Sequence, residues 1–152
     1  MILGPRKRHY IIDHHHLALA LLGEGITSVL VTVIADLSMV SPDSFWIVLD
    51  HQSWVHSYDA HGRRRSFSNI PKAIDKLKDD PFRSLVGQLR RVGGFAKDTT
   101  PFSEFLWTDF LRRRVARRQI EQHFSATVKE SMTLAKSHDA RYLPGRCGPS
   151  EG

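Results

Sequence analysis

The sequence predicts a mixed α+β fold, an α/β half followed by a helical half. Three observations carry that expectation. Residues 9–12 read as a short strand that turns, through Asp13-His14-His15-His16, into an apolar-striped helix. Residues 26–35 are rich in β-branched side chains and almost continuously apolar, the pattern of a strand buried on both faces. Beyond Pro71 the apolar residues fall at helical spacing behind the cap signals Asp80-Pro81 and Thr100-Pro101.

The elements follow in order. Residues 1–8 are a basic lead-in with a turn at Gly4-Pro5. Asp13 is expected to cap a helix to about Leu22, with Leu17, Ala18, Leu21 and Leu22 as its stripe and Gly23 or Gly25 as its stop. With the strand at 26–35, the first 35 residues read strand–helix–strand. Ser41-Pro42 opens a second helix carrying Phe45, Trp46, Val48 and Leu49. Residues 54–58 and 63–67 flank Asp59-Ala60-His61-Gly62 as a hairpin. Asn69-Ile70-Pro71 opens a short helix to about Lys78. Asp80-Pro81 caps the next, which Gly93-Gly94 ends, and Thr100-Pro101 caps a longer one carrying Phe102, Phe105, Leu106, Phe110 and Leu111. A last helix is expected from Ile120 to about Ser137. Leu85, Leu89, Phe105 and Leu111 should lie in the core of the helical half. One domain is expected over 1–145, with an α/β part at 1–70 and a helical part at 71–140. The chain should loosen from Pro144, with 146–152 a disordered tail.

Composition narrows the function classes. The 152 residues are 41% apolar and 25% charged, ordinary for a globular domain. No apolar run approaches the roughly 20 residues that cross a bilayer, and no apolar stretch of signal-peptide type follows the basic start. A membrane partner is therefore not expected. The single Cys147 forms no internal disulfide, which fits a cytoplasmic setting. The net charge of +6 and pI near 9.8 suit a polyanionic partner such as nucleic acid or a nucleotide. Arginines cluster at 63–65, 90–91, 112–114 and 117–118, and Arg grips phosphate through a fork where Lys is a point charge.

The candidate chemistry lies at Asp13, His14, His15 and His16. A strand-to-helix junction aims side chains and free backbone N–H groups at one spot, and helix N-termini favour anions. Imidazoles placed there can move protons. In the plain alternative, Asp13 only caps the helix and the histidines bond backbone or water. Successive helical residues point about 100° apart, so the three histidines cannot share one ion. No metal-ligating residue is assigned and the cofactor stays open, a nucleotide or a divalent metal being the candidates, with a metal needing partners from elsewhere in the chain. Asp13-His14-His15 matches the tripeptide of the DHH phosphoesterases, but the further aspartates of those enzymes precede it, and only twelve residues do so here. No Gly-x-Ser-x-Gly elbow and no glycine-rich phosphate loop is present. Arg112, Arg113 and Arg117 share roughly one helix face, which could meet phosphates or simply be solvated.

Several segments carry a resemblance. They are Leu3-Gly4-Pro5, the run from Tyr10 to Leu21, Ala35-Asp36-Leu37-Ser38, Phe45-Trp46, the run from Asp79 to Leu85, the run from Pro101 to Arg112, and Leu143-Pro144-Gly145. In order and spacing they resemble the "putative ParB-like nuclease" family of the ParB/sulfiredoxin superfamily, over residues 3 to 145. The resemblance implies a ParB/sulfiredoxin-like α/β half with appended helices, and a strand that enters an Asp-Gly-x-His-Arg turn contacting nucleotide phosphates. Asp13 matches the Asp and His16 the His. His14 stands at the Gly and Leu17 at the Arg, so the phosphate fork of that turn is missing. The cysteine that sulfiredoxin chemistry needs is absent from the turn. The resemblance also implies an upstream strand, so this chain reads either as a truncated form or as one with a misassigned start, and a missing strand would leave an open sheet edge.

Three functions follow as expectations. The first is a nuclease or phosphodiesterase in which a histidine of the cluster is acid or base, Asp13 orients it, and Arg83, Arg112, Arg113 and Arg117 hold phosphate. The second is a non-catalytic DNA- or nucleotide-binding module related to partition proteins, although the helices after Pro71 show no clear helix-turn-helix. The third is an enzyme acting on a small molecule.

Overall fold

The computed structural model describes residues 1–148, so the expected tail lies outside the described residues from position 149. The fold is mixed α+β. Its chain divides into two compact units, Met1–Lys78 and Asp79–Gly152.

The first unit is built on three short strands in the order β2-β1-β3. Strand β1 (Ile2–Gly4) pairs antiparallel with β2 (Arg8–Tyr10) and parallel with β3 (Ala35–Asp36). The lead-in is thus a strand. Ile2 is buried and seeds the core with Phe45 and Leu49. Gly4 is required in β1, because a Cβ there would run into the Tyr10 ring and stand 3.0 Å from that of Phe45. Helix α1 (His15–Gly23) follows β2, with Gly25 in the left-handed conformation past its end.

Residues 26–35 correct the sequence reading. Only Ala35 and Asp36 are strand, and residues 22–34 are all exposed, Leu30 fully so. A β-branched run sets a preference for extended backbone, but burial on both faces needs neighbours on both faces. The edge beside β1 supplies partners only near the end of the run, where the Ile34 N–H bonds Met1 O and the Met1 amine bonds Thr32 O. The expected stripe of α1 is likewise unburied: Leu17 is 55% exposed and none of the helix's residues is buried.

Helix α2 (Pro42–His51) matches expectation, with the Ser41 hydroxyl accepting the Ser44 N–H at 3.2 Å. Its Phe45 packs on Tyr10, ring centroids 4.5 Å apart, and its Trp46 stacks on Phe67. The expected hairpin shrinks to a single antiparallel bridge, Tyr58 with Arg64. The helix expected from Asn69 is instead two 3-10 turns, Phe67–Asn69 and Ile74–Lys76.

The second unit is helical. Helix α3 (Pro81–Arg91) is capped by the Asp80 carboxylate, which accepts the Phe82 N–H at 3.1 Å. It ends at Gly93, where Gly94 N–H returns to Leu89 O. Helix α4 (Ser103–Arg112) starts at Phe102 in the left-handed conformation rather than at Thr100. The expected last helix is two, α5 (Arg117–Gln122) and α6 (Phe124–Lys136), joined where the Thr127 hydroxyl donates to Gln119 O and His123 O. Leu85, Leu89 and Leu111 are buried as expected. Phe105 is only half-buried, its ring lying beneath the Arg83 guanidinium. The central position belongs to Trp107, stacked on Phe95 and donating its indole N–H to Pro144 O at 2.8 Å. That bond, with the Phe95–Arg146 bridge and the Ala96 N–H on Gly145 O, packs a segment expected to be loose.

Candidate functional site

The turn between β2 and α1 is built by a left-handed residue. His14 has φ 59° and ψ 28° and is the N-cap of α1, a role expected of Asp13. A left-handed residue is where glycine is least strained, and His is among the side chains that visit this region more readily than most. Asp13 supports the bend from outside the helix: its Oδ1 accepts the His14 N–H at 2.7 Å. Its Oδ2 lies 3.8 Å from His14 Nε2.

The three imidazoles then diverge. His15 Nε2 is 3.0 Å from Ile11 O, back along the chain, which fixes that ring against the end of the strand. His16 is exposed and has no hydrogen-bond partner among the described residues. No side chain caps α1, so its first-turn N–H groups face outward beside these rings. The arrangement offers donors for an anion and an imidazole free to exchange a proton with it. The Asp13 and His14 side chains are 83% and 78% exposed, so the turn sits on open surface.

A metal ion needs three or more converging ligands. Among the described residues no group of His, Cys, Asp or Glu stands that way.

The arginines of the second unit occupy a different setting. Arg112 pairs with Asp80 and with Asp109, at 2.7 Å for the latter. Arg83 lies 3.8 Å over the Phe105 ring and 4.0 Å from Glu104, a carboxylate that Arg90 also holds. Arg117 pairs with Glu121 at 2.7 Å. A phosphate at any of these would share the guanidinium with a carboxylate already there. Arg113 is exposed with no ion pair among the described residues. Burial holds the Asp80 carboxyl above the usual range, against the pull of the Arg112 guanidinium and the Phe82 N–H.

One carboxylate of the first unit escaped sequence reasoning. Asp59 accepts the N–H groups of His61 and Arg63 at 2.9 and 3.0 Å and pairs with Arg65 at 2.7 Å. The Arg63 N–H leads in holding its carboxyl down to about 2. The signal was present in Asp59-Ala60-His61-Gly62, where an Asp side chain closes the turn and Gly62 takes a positive φ.

A family model described as "Putative ParB-like nuclease" matches residues 1–113. The chain belongs to that family. The match spans the histidine turn, α3 and α4 of this ParB-like chain. The crystal structure of protein Atu1540 from Agrobacterium tumefaciens is similar to it at 51% identity and a TM-score of 0.95, covering 98% of this chain and 79% of that one. No curated protein matches the ParB-like chain. Among its described residues no helix is long and apolar enough to cross a membrane.

Proposed function

We propose that the protein is a phosphodiesterase acting on nucleic acid or nucleotide phosphates, and that its site is the turn of Asp13, His14, His15 and His16. The observation that carries the reading is the pairing of an uncapped helix start with an unengaged imidazole, His16, in a chain of the ParB-like nuclease family. The first-turn N–H groups of α1 hold the non-bridging oxygens of a phosphodiester. His16 takes the proton of an attacking water as the new P–O bond forms. The ester P–O bond breaks, and the leaving oxygen receives a proton from a neighbouring imidazole. His14, 3.8 Å from Asp13, is the proposed donor. Arg83, Arg112, Arg113 and Arg117 are proposed as further phosphate contacts, Arg113 foremost because it carries no carboxylate.

A second reading is favoured by the openness of the turn. Exposed imidazoles bind a phosphate without excluding water, as suits a non-catalytic DNA- or nucleotide-binding module.

Cleavage of plasmid and single-stranded DNA, and hydrolysis of a nucleotide, by the parent and by the His14→Ala/His15→Ala/His16→Ala protein separate the two. Loss of turnover of at least about a hundredfold is expected for the triple variant. His14→Gly serves as the folding control, since glycine fits the left-handed position better than histidine does. Equal rates in parent and triple variant sink the catalytic reading. Binding without turnover establishes the module.

A further inference from the structure

Four consecutive basic residues, Arg6-Lys7-Arg8-His9, run from the connection after β1 into β2, and all four are exposed. Behind them Gly4 and Pro5 are buried, so the connection is anchored while its tip stands in solvent. Arg6 has φ 58° and ψ 33°, and Lys7 has φ 57°. Both residues of this three-residue connection stand in left-handed backbone, which glycine and asparagine adopt with least strain. Arg-Lys adopts it against the steric preference of both side chains. The chain thus keeps two long cations where turn chemistry favours two small residues, a local conflict of the kind that marks functional sites.

The electrostatics point the same way. None of these four side chains has an ion pair or a hydrogen bond among the described residues. Arg83, Arg90, Arg112, Arg114 and Arg117 of the second unit all hold carboxylates. A nucleic acid carries a condensed counterion atmosphere, and unpaired protein cations that neutralise its phosphates release those counterions, which drives binding.

We propose that the hairpin tip, Arg6, Lys7 and Arg8, is an anchor for the phosphodiester backbone of a nucleic acid, separate from the histidine turn at the other end of β2. Lys7 and Asp13 are six residues apart, at most about 20 Å of extended chain. One strand of about six nucleotides spans that distance at about 3.4 Å per nucleotide. The anchor holds the strand and the turn meets it further along. The assignment rests on the proposed function only for the chemistry of the partner.

The test is Arg6→Asn/Lys7→Gly, followed by thermal unfolding and by fluorescence anisotropy with a DNA duplex of about 20 base pairs between about 50 and 200 mM salt. The variant should melt no lower than the parent, because Asn and Gly relieve the left-handed pair. Its Kd should rise about tenfold, and the slope of log K against log salt should shrink by about 2, one for each phosphate the tip no longer neutralises. A structural role would lower stability and binding together. The triple-alanine variant of the histidine turn keeps both cations of the tip, so its salt slope should shrink by less than that of the hairpin variant. Unchanged Kd and slope in the hairpin variant overturn the anchor, even where the parent cleaves DNA. Weakened binding in a parent that cleaves nothing upholds the anchor while the phosphodiesterase reading fails. Tighter binding to anionic lipid vesicles than to DNA also overturns it, in favour of a membrane surface.

Discussion

In the unit Asp79–Gly152, fourteen buried apolar residues among those described form one cluster around Trp107 and Leu89. In Met1–Lys78 the fully enclosed cluster is Ile2, Phe45 and Leu49, and the longest β-branched run of the chain stands in solvent. Charge follows the same division. In the second unit Arg83, Arg90, Arg112, Arg114 and Arg117 hold carboxylates, with Arg113 an exception, whereas the hairpin tip and His16 of the first face outward without partners among the described residues. A unit whose apolar and charged groups are satisfied internally is a scaffold. One that leaves both unsatisfied is where a ligand has something to gain.

The comparison breaks most sharply at Trp107. Trp107→Ala removes the stack on Phe95 and the bond to Pro144, and should cost about 3–5 kcal/mol in urea unfolding. A loss below about 1 kcal/mol would show that the second unit is not organised around this ring. In the first unit the largest single effect should come from Gly4→Ala. The added methyl meets the Tyr10 and Phe45 rings and should cost about 1–3 kcal/mol by the same measurement.

Acid should act in opposite directions on two carboxylates, Asp59 and Asp80. Asp59 is held at about 2, below its ordinary 3.8, so its contribution is present above about pH 4 and is lost as the pH falls toward 2. Amide exchange at His61 and Arg63 should accelerate over that range. Asp80 is shifted upward, so the folded state binds its proton more tightly than the unfolded chain does. Lowering the pH from above that raised range down through it adds stability in the second unit, and Asp80→Asn should abolish the gain. The smallest effect is expected at Leu30, whose side chain is fully exposed: Leu30→Ser should change stability by no more than about 0.5 kcal/mol.

What was legible in the sequence was local. Ser41-Pro42 and Asp80-Pro81 mark helix starts because a cap is made by residues three apart or fewer. Leu85, Leu89 and Leu111 declare the core by helical spacing. Residues 26–35 misled because propensity reports backbone preference, while burial depends on what lies alongside. The break between α5 and α6 at His123 has no Gly or Pro to announce it. The location of the histidine turn was readable, but its geometry was not. Left-handed backbone at His14 is recoverable only through the family's glycine at that place.

The indole of Trp107 has a spectroscopic consequence. It is enclosed in the second unit, while Trp46 and Trp54 are half-buried in the first. Emission from the enclosed ring should lie to the blue of the other two and resist quenching by iodide. A single unlabelled sample therefore reports separately on the two units. If nucleic acid binds through the first unit, as proposed, quenching should appear at Trp46 and Trp54 and not at Trp107.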